Sequence, residues 1–195
     1  MSKLPAFLES TPDGHGRDLT RRRVVQDAAA LAGVAASGSL SAGLSLFGSP
    51  ARAAPASIGG AVDWPAFELI DGRRVEPVDL KAQAVLVVFF ATTCPFCARH
   101  NEHVHKLMQR LGARAGLRVI HVAQDGSAAP VKDYLVRHGY SFEVTLASRA
   151  LHEALSARRV IPLSCVVDRQ GRLREVIPGE MFEEDVLELA RWAQA

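Results

Sequence analysis

Residues 62–195 predict an α/β sandwich built on a mixed sheet, with helices on its flanks and a small β-hairpin added at its N-terminal side. Three observations carry that expectation. The run "AVLVVFF" (84–90) is apolar throughout and "LRVIHVAQ" (117–124) largely so, both of strand length, as in strands buried on both faces. Segments between and after them repeat their apolar residues at the helical period. The chain then closes as strand, turn, strand and helix, which adds antiparallel pairing to a parallel core.

The elements follow in order. "FELIDGRRVEP" gives two short strand-like runs around Asp71-Gly72, a dipeptide suited to tight hairpin turns. After the first buried strand, Cys97, Asn101, Val104, Leu107, Met108 and Leu111 share one helical face, and Gly112 and Gly116 end that helix. "APVKDYLVRHG" predicts a helix closed by Gly139, "SFEVTLA" a short strand, and "RALHEALSA" another helix. "LSCVVDRQGRLREVI" reads as two strands joined at Gln170-Gly171. "MFEEDVLELARWAQ" reads as one amphipathic helix, with Glu183, Glu184 and Asp185 at the end where the helix dipole favours them.

The first fifty-three residues do not share this rhythm. Arg21, Arg22 and Arg23 precede a weakly apolar stretch from Ala28 to Phe47, and Ala51-Arg52-Ala53 supplies a small-x-small cleavage pattern. Together these predict an export signal over 1–53, a short linker over 54–61 and a folded domain over 62–195. The arginine run after Thr20 is similar to the twin-arginine type of signal, although Val24 and Val25 stand where that motif more often has Phe and Leu. The expected location is periplasmic, with a membrane tether only if the signal stays uncleaved. Of 23 basic and 21 acidic residues, Lys3, five arginines and four acids lie in the signal, leaving 17 of each sign. Such a balance gives no general attraction to nucleic acid.

Cys94 and Cys97, in "FFATTCPFCARH", are the chemical signature of the chain. They fall where a buried strand gives way to a helix. A thiol at a helix N-terminus faces unpaired backbone N–H groups and the positive end of the dipole, both of which favour thiolate. The first cysteine is then the attacking sulfur, and the second, one turn inside, resolves a mixed disulfide. Pro95 suits the first helical position, having no N–H to leave unsatisfied. A structural staple would close almost no loop at this spacing. A zinc site would lack its second pair of ligands. An exchange dithiol is therefore favoured over both.

The run "DWPAFELIDGRRVEPVDLKAQAVLVVFFATTCPFC" and the later "RVIPLSCVVDRQGRLREVIPG" resemble the TlpA/ResA branch of extracytoplasmic thioredoxin-like proteins. The resemblance implies the thioredoxin fold and places Pro162 as a cis-proline beside the cysteines. Ile161 would offer its backbone to an extended substrate segment, and Pro95 and Phe96 would line the same surface. It also implies reduction of exported protein disulfides, such as those of apocytochromes or copper-site proteins, with a membrane electron donor recharging the dithiol. No organic cofactor or metal is expected. Three positions depart from the pattern: Thr93 replaces a tryptophan, Val88 replaces the buried acid of thioredoxins, and His100 replaces a glutamate found in some members.

His100, one turn below Cys97, is a candidate for exchanging a proton with the resolving thiol or biasing it electrostatically; a partly buried histidine without such a role is the alternative. His103 and His105 read as surface histidines, although a Cu(I) site built from two thiolates and an imidazole would suit a metallochaperone. Cys165 alternates within "LSCVVD" and points to the core. Pro95-Phe96 fits either a reductant or a disulfide-donating oxidant or isomerase, so the direction of electron flow stays open. The spacing expected of a peroxiredoxin cysteine is not present in "FFATTC".

Overall fold

The computed structural model describes residues 54–112 and 116–194; the expected signal over 1–53 lies outside them. The chain runs through β1 (Phe67–Glu68), β2 (Arg74–Val75), β3 (Ala84–Phe90), α1 (Pro95–Leu111), β4 (Leu117–Ala123), α2 (Ala128–His138), β5 (Glu143–Thr145), α3 (Ser148–Leu155), β6 (Leu163–Val167), β7 (Leu173–Pro178) and α4 (Glu183–Glu188). Five strands form one sheet in the order β5-β4-β3-β6-β7. β3 pairs in parallel with β4, and β4 with β5, while β6 and β7 run antiparallel to their neighbours. This is the thioredoxin-like mixed sheet expected, with β1 and β2 as the added hairpin.

β3 lies at the centre of the sheet and is buried along its whole length, as its unbroken apolar run requires. Its alternate side chains feed two layers. Val85, Val87 and Phe89 face a cluster closed by the hairpin and by α3, through Phe67, Leu69, Leu151 and Leu155. Ala84, Leu86, Val88 and Phe90 face α1, α2 and α4. α1 binds this side through Cys97, Val104 and Leu107, all fully buried. Gly112 ends α1 and Gly139 ends α2, each at positive φ, a conformation that glycine adopts without a Cβ clash.

Residues 54–61, expected as a linker, are tied to the domain instead. Ala56 N–H donates to Ala154, Gly59 N–H to Leu173, and Leu173 N–H returns to Gly60. Leu69 bridges to Thr145 on the other edge, so the N-terminal extension crosses the whole sheet. The last element also differs from a single helix. After α4 the chain tightens into a 3₁₀ turn over Leu189–Ala193, which sets Arg191 and Trp192 side by side on Glu175 of β7, each at 2.7 Å.

α1 is held mainly by apolar burial, so truncation should be costly there and cheap on an outer face. Leu107→Ala is expected to lower stability by about 2–5 kcal/mol in urea denaturation. Val136→Ala, at an exposed site on α2, should change it by no more than about 0.5 kcal/mol. Equal effects would mean that α1 is not packed on the sheet as described.

Candidate dithiol site

β3 ends at Phe90, whose carbonyl accepts the Gln124 N–H at 2.8 Å, and the chain turns through Ala91-Thr92-Thr93 into α1. The turn is fixed from the side: Thr92 donates both its N–H and its hydroxyl to the Asp125 carboxylate. Cys94 is the N-cap of α1 and Pro95 its first residue. The Cys94 sulfur accepts the Cys97 N–H at 3.3 Å, taking the place of a capping oxygen. Both cysteines are free thiols, Cys94 partly exposed and Cys97 fully buried. Burial, and then the neighbouring Cys94, push the Cys97 thiol up to about 12. One sulfur thus meets solvent at a helix N-terminus, and the other waits behind it as a protonated thiol.

The Ile161–Pro162 peptide bond is cis. Ile161 and Cys94 both pack against the apolar cluster that contains Cys97. Among the described residues neither the N–H nor the carbonyl of Ile161 makes a hydrogen bond, whereas the Pro162 carbonyl accepts from Gly179 at 2.8 Å. Phe96 and Val160 stand exposed nearby in sequence. Arg99 covers the Phe96 ring at 5.0 Å and forms two hydrogen bonds of 2.7 Å to Glu180. Cys94 and Ile161 thus pack on one apolar cluster, with Pro95, Phe96 and Pro162 next to them along the chain.

His100 is buried completely. Its Nδ1 accepts the Met181 N–H at 3.3 Å, which requires the proton on Nε2, and Nε2 lies 3.0 Å from the Ser164 hydroxyl. Both nitrogens are thus engaged away from Cys97, and the direct proton exchange expected from spacing has no free ring atom in this geometry. Burial and then the nearby His103 lower its pKa to about 4, so the ring is neutral at pH 7. His103 Nδ1 donates to the Met181 carbonyl at 3.1 Å. Two histidines one turn apart therefore grip both ends of one residue. Lys106 extends the contact to Glu183 at 2.8 Å, so one edge of α1 is laced to residues 180–183. His105 instead packs on Tyr140 and meets Gln109. The expected surface histidines are both half-buried.

Cys165 pairs with Val87 and lies in the core on the opposite face of the sheet from Cys97, where burial raises its thiol to about 12. Among the described residues no group of three or more His, Cys, Asp or Glu side chains is placed to hold a metal. Four polar residues at the site had no motif to announce them: Asp125, Tyr134, Ser164 and His121. The last sits inside the apolar run of β4, and a histidine in a strand buried on both faces was the available signal.

Buried neutral histidines make stability depend on pH. The unfolded chain protonates histidine near pH 6.5, whereas folded His100 and His121 do so only at about 4 and about 3. Between these limits the unfolded state binds more protons, so stability is full above pH 6.5 and falls as pH drops through the window. The expected loss at pH 5 is roughly 2 kcal/mol per histidine, read as a falling urea midpoint. His100→Gln and His121→Phe should each flatten that slope. A midpoint constant from pH 7 to pH 5 in the unmodified protein would mean that the two rings are not held neutral.

The Redoxin family profile matches residues 60–190. The thiol-disulfide oxidoreductase ResA of Bacillus subtilis (strain 168) is 28% identical over 131 residues, 65% of this chain and 72% of that one. The thiol:disulfide interchange protein of the thioredoxin family from Chlorobium tepidum TLS superposes with a TM-score of 0.60 at 26% identity, covering 75% of this chain and 100% of the other. A secreted thiol-disulfide isomerase from Corynebacterium glutamicum shares the fold, with a TM-score of 0.60 at 19% identity over 69% of this chain and 86% of its own. With more than half of its length matched and its mixed sheet shared with these structures, the chain belongs to the Redoxin family and to its ResA-like, thioredoxin-fold members.

Proposed function

We propose that the protein is a periplasmic thiol–disulfide oxidoreductase that reduces disulfides of exported proteins through Cys94 and Cys97. The observation that carries this reading is the asymmetry of the pair: a partly exposed Cys94 sulfur capping α1, with a buried, protonated Cys97 one turn inside. Cys94 attacks a substrate disulfide and forms a mixed disulfide. Cys97 then loses its proton and attacks Cys94, releasing the substrate thiol. The unpaired N–H and carbonyl of Ile161 are available to an extended substrate strand, as in β-augmentation, with Pro95, Phe96 and Pro162 flanking it. His100 serves this site by holding residue 181 against α1 and by keeping a neutral ring one turn below Cys97.

The likeness to the thiol-disulfide oxidoreductase ResA supports the exchange chemistry, and the reductive direction is part of the proposal. The basic run at 21–23 and the Ala51-Arg52-Ala53 pattern support export by the twin-arginine route. A reductant in an oxidising compartment needs an electron supply, so a membrane donor that recharges the dithiol belongs to the proposal. The chemistry passes between sulfur atoms and calls for no organic cofactor. An oxidant or isomerase would use the same residues at a higher potential, and a Cu(I) chaperone would hold metal on the two sulfurs.

Cys94→Ser is expected to abolish reduction of a model disulfide such as insulin. Cys97→Ser should still attack and accumulate the mixed disulfide, visible as a covalent adduct by mass spectrometry. Equilibration of the full chain against dithiothreitol should give a potential at or below roughly −270 mV, the thioredoxin range. A value near roughly −120 mV would reverse the proposed direction. Undiminished reductase activity in Cys94→Ser would overturn the dithiol reading.

A further inference from the structure

The sheet carries a row of side chains directly beneath α1. Val88 of β3 pairs with His121 on β4 and with Ser164 on β6, so His121, Val88 and Ser164 lie abreast on one face. The middle of the row is apolar and both flanks are polar. Ser164 is committed to His100. His121 has no such partner: although the residue is completely buried, neither ring nitrogen makes a hydrogen bond among the described residues.

A second buried atom shares this condition. Asn101 lies one turn below Cys97 on the buried face of α1, and its Oδ1 is likewise unpaired, while its Nδ2 donates to the Tyr134 hydroxyl at 3.3 Å. His121 stacks on Phe142 at 3.8 Å and meets the edge of Phe90, two rings that pack in the same cluster as Cys97 and Tyr134. The unused hydrogen-bonding atoms of His121 and Asn101 therefore both border the apolar cluster that holds the resolving cysteine. Buried polar atoms without partners are rare in folded proteins, and redox or catalytic duty is a recurrent reason for them.

We propose that His121 is a positioning residue for the resolving half of the exchange, acting with Asn101 through a bridging water on the Cys97 sulfur as it ionises. This rests on the dithiol reading above. In that step the Cys97 S–H bond breaks, its sulfur forms a bond to Cys94, and the Cys94–substrate bond breaks. The electron pair leaves on the substrate sulfur, which takes up a proton, so one thiol is consumed and one released. A neutral imidazole has one acceptor and one donor nitrogen, enough to receive a hydrogen bond from the chain that starts at the thiol and to return one to the thiolate. A water linking His121, Asn101 Oδ1 and the sulfur would have the two to four polar partners that buried waters need. His100 of α1 acts on His121, His105 meets the Phe142 ring on which His121 stacks, and Tyr134 of α2 lies in the cluster that holds Cys97. Cys94 and the Asp125 carboxylate act on the Cys97 thiol itself, whereas Val88 and Ser164, the neighbours of His121 in the row, carry no charge. Burial, reinforced by His100, keeps the ring neutral, so it acts through its hydrogen bonds.

The test separates the two half-reactions in the full chain. Ellman's reagent converts Cys94 to its nitrothiobenzoate adduct, and Cys97 then displaces the coloured thiolate, followed at 412 nm. His121→Phe, which keeps a ring on Phe142, and Asn101→Leu are each expected to slow this displacement at least tenfold at pH 7 and to move its pH midpoint upward by about one unit. Alkylation of Cys94 in a Cys97→Ala background should stay within twofold. His121→Gln, which keeps a donor and an acceptor, should restore displacement to within threefold. Should the Phe variant not fold, Asn101→Leu carries the same expectation alone. Displacement within twofold of the unmodified protein, with an unchanged pH profile, would overturn the inference. Equal slowing of both steps would do so as well, reducing His121 to a packing role. An unmodified protein that forms the adduct and never resolves it would instead overturn the dithiol reading, and this inference with it.

Discussion

The full burial of β3 is the constraint on which the rest of the molecule depends. Seven consecutive apolar residues satisfy both layers of the core at once. Fixing β3 fixes the point at which the chain leaves the sheet, and so the position of the first turn of α1. Cys94 sits at that point. A cysteine one residue earlier would belong to the turn, and one residue later would lose the capping geometry that brings the Cys97 N–H to its sulfur. The reactive thiol is therefore placed by core packing several residues away from it.

α1 must also keep its angle to the sheet, because Cys97 is fully buried on the face that the helix packs against it. Apolar burial supplies adhesion but little direction. Direction comes from the polar lacing along one helix edge, where Arg99, His100, His103 and Lys106 meet residues 180–183 in sequence. The exposed ion pairs at the ends of this row are worth little individually. The two histidine bonds to Met181 are different, since at His100 they are sheltered from water and leave no alternative partner. A loop that follows β7 is in this way bound to the helix that carries the dithiol, and the segment bearing Ile161 and Pro162 lies just ahead of β6 on the same side of the architecture.

Much of this was legible in the sequence, and the boundary of legibility has a physical cause. The extent of β3, the hairpin at Asp71-Gly72, the glycine ends of α1 and α2 and the role of Cys165 as a core residue all follow from local pattern. The pairing of the two cysteines with a strand–helix junction was equally plain. His100 was singled out by its spacing from Cys97, but spacing reports only the neighbours on its own helix. Its actual partners, Ser164 and Met181, are 64 and 81 residues away, and no periodicity encodes them. The same is true of residues 54–61, whose small side chains read as a linker while their backbone groups bond to β7 and α3. Asp125 and Tyr134 escaped notice for the same reason: each matters through a contact made across the fold.

The departure at Val88 gains meaning once the row across the sheet is seen. An ionised acid in that place would sit in a low-dielectric interior next to two sulfurs that each become negative during exchange, and its charge would oppose both events. Here the centre of the row is apolar and the polar atoms lie on adjacent strands as a neutral histidine and a hydroxyl. Neutral groups can stabilise an anion by hydrogen bonding without adding a like charge nearby. They also leave the thiolate's stability less dependent on the titration of a neighbour across neutral pH, since both buried rings titrate at about 4 or lower. An acid offers a stronger base for the resolving thiol at the expense of repulsion, whereas this arrangement gives up basicity to keep that row of the sheet uncharged, leaving Asp125 as a carboxylate whose charge bears on Cys97. The resolving cysteine, held up to about 12 by burial, is the residue on which that exchange of advantages acts.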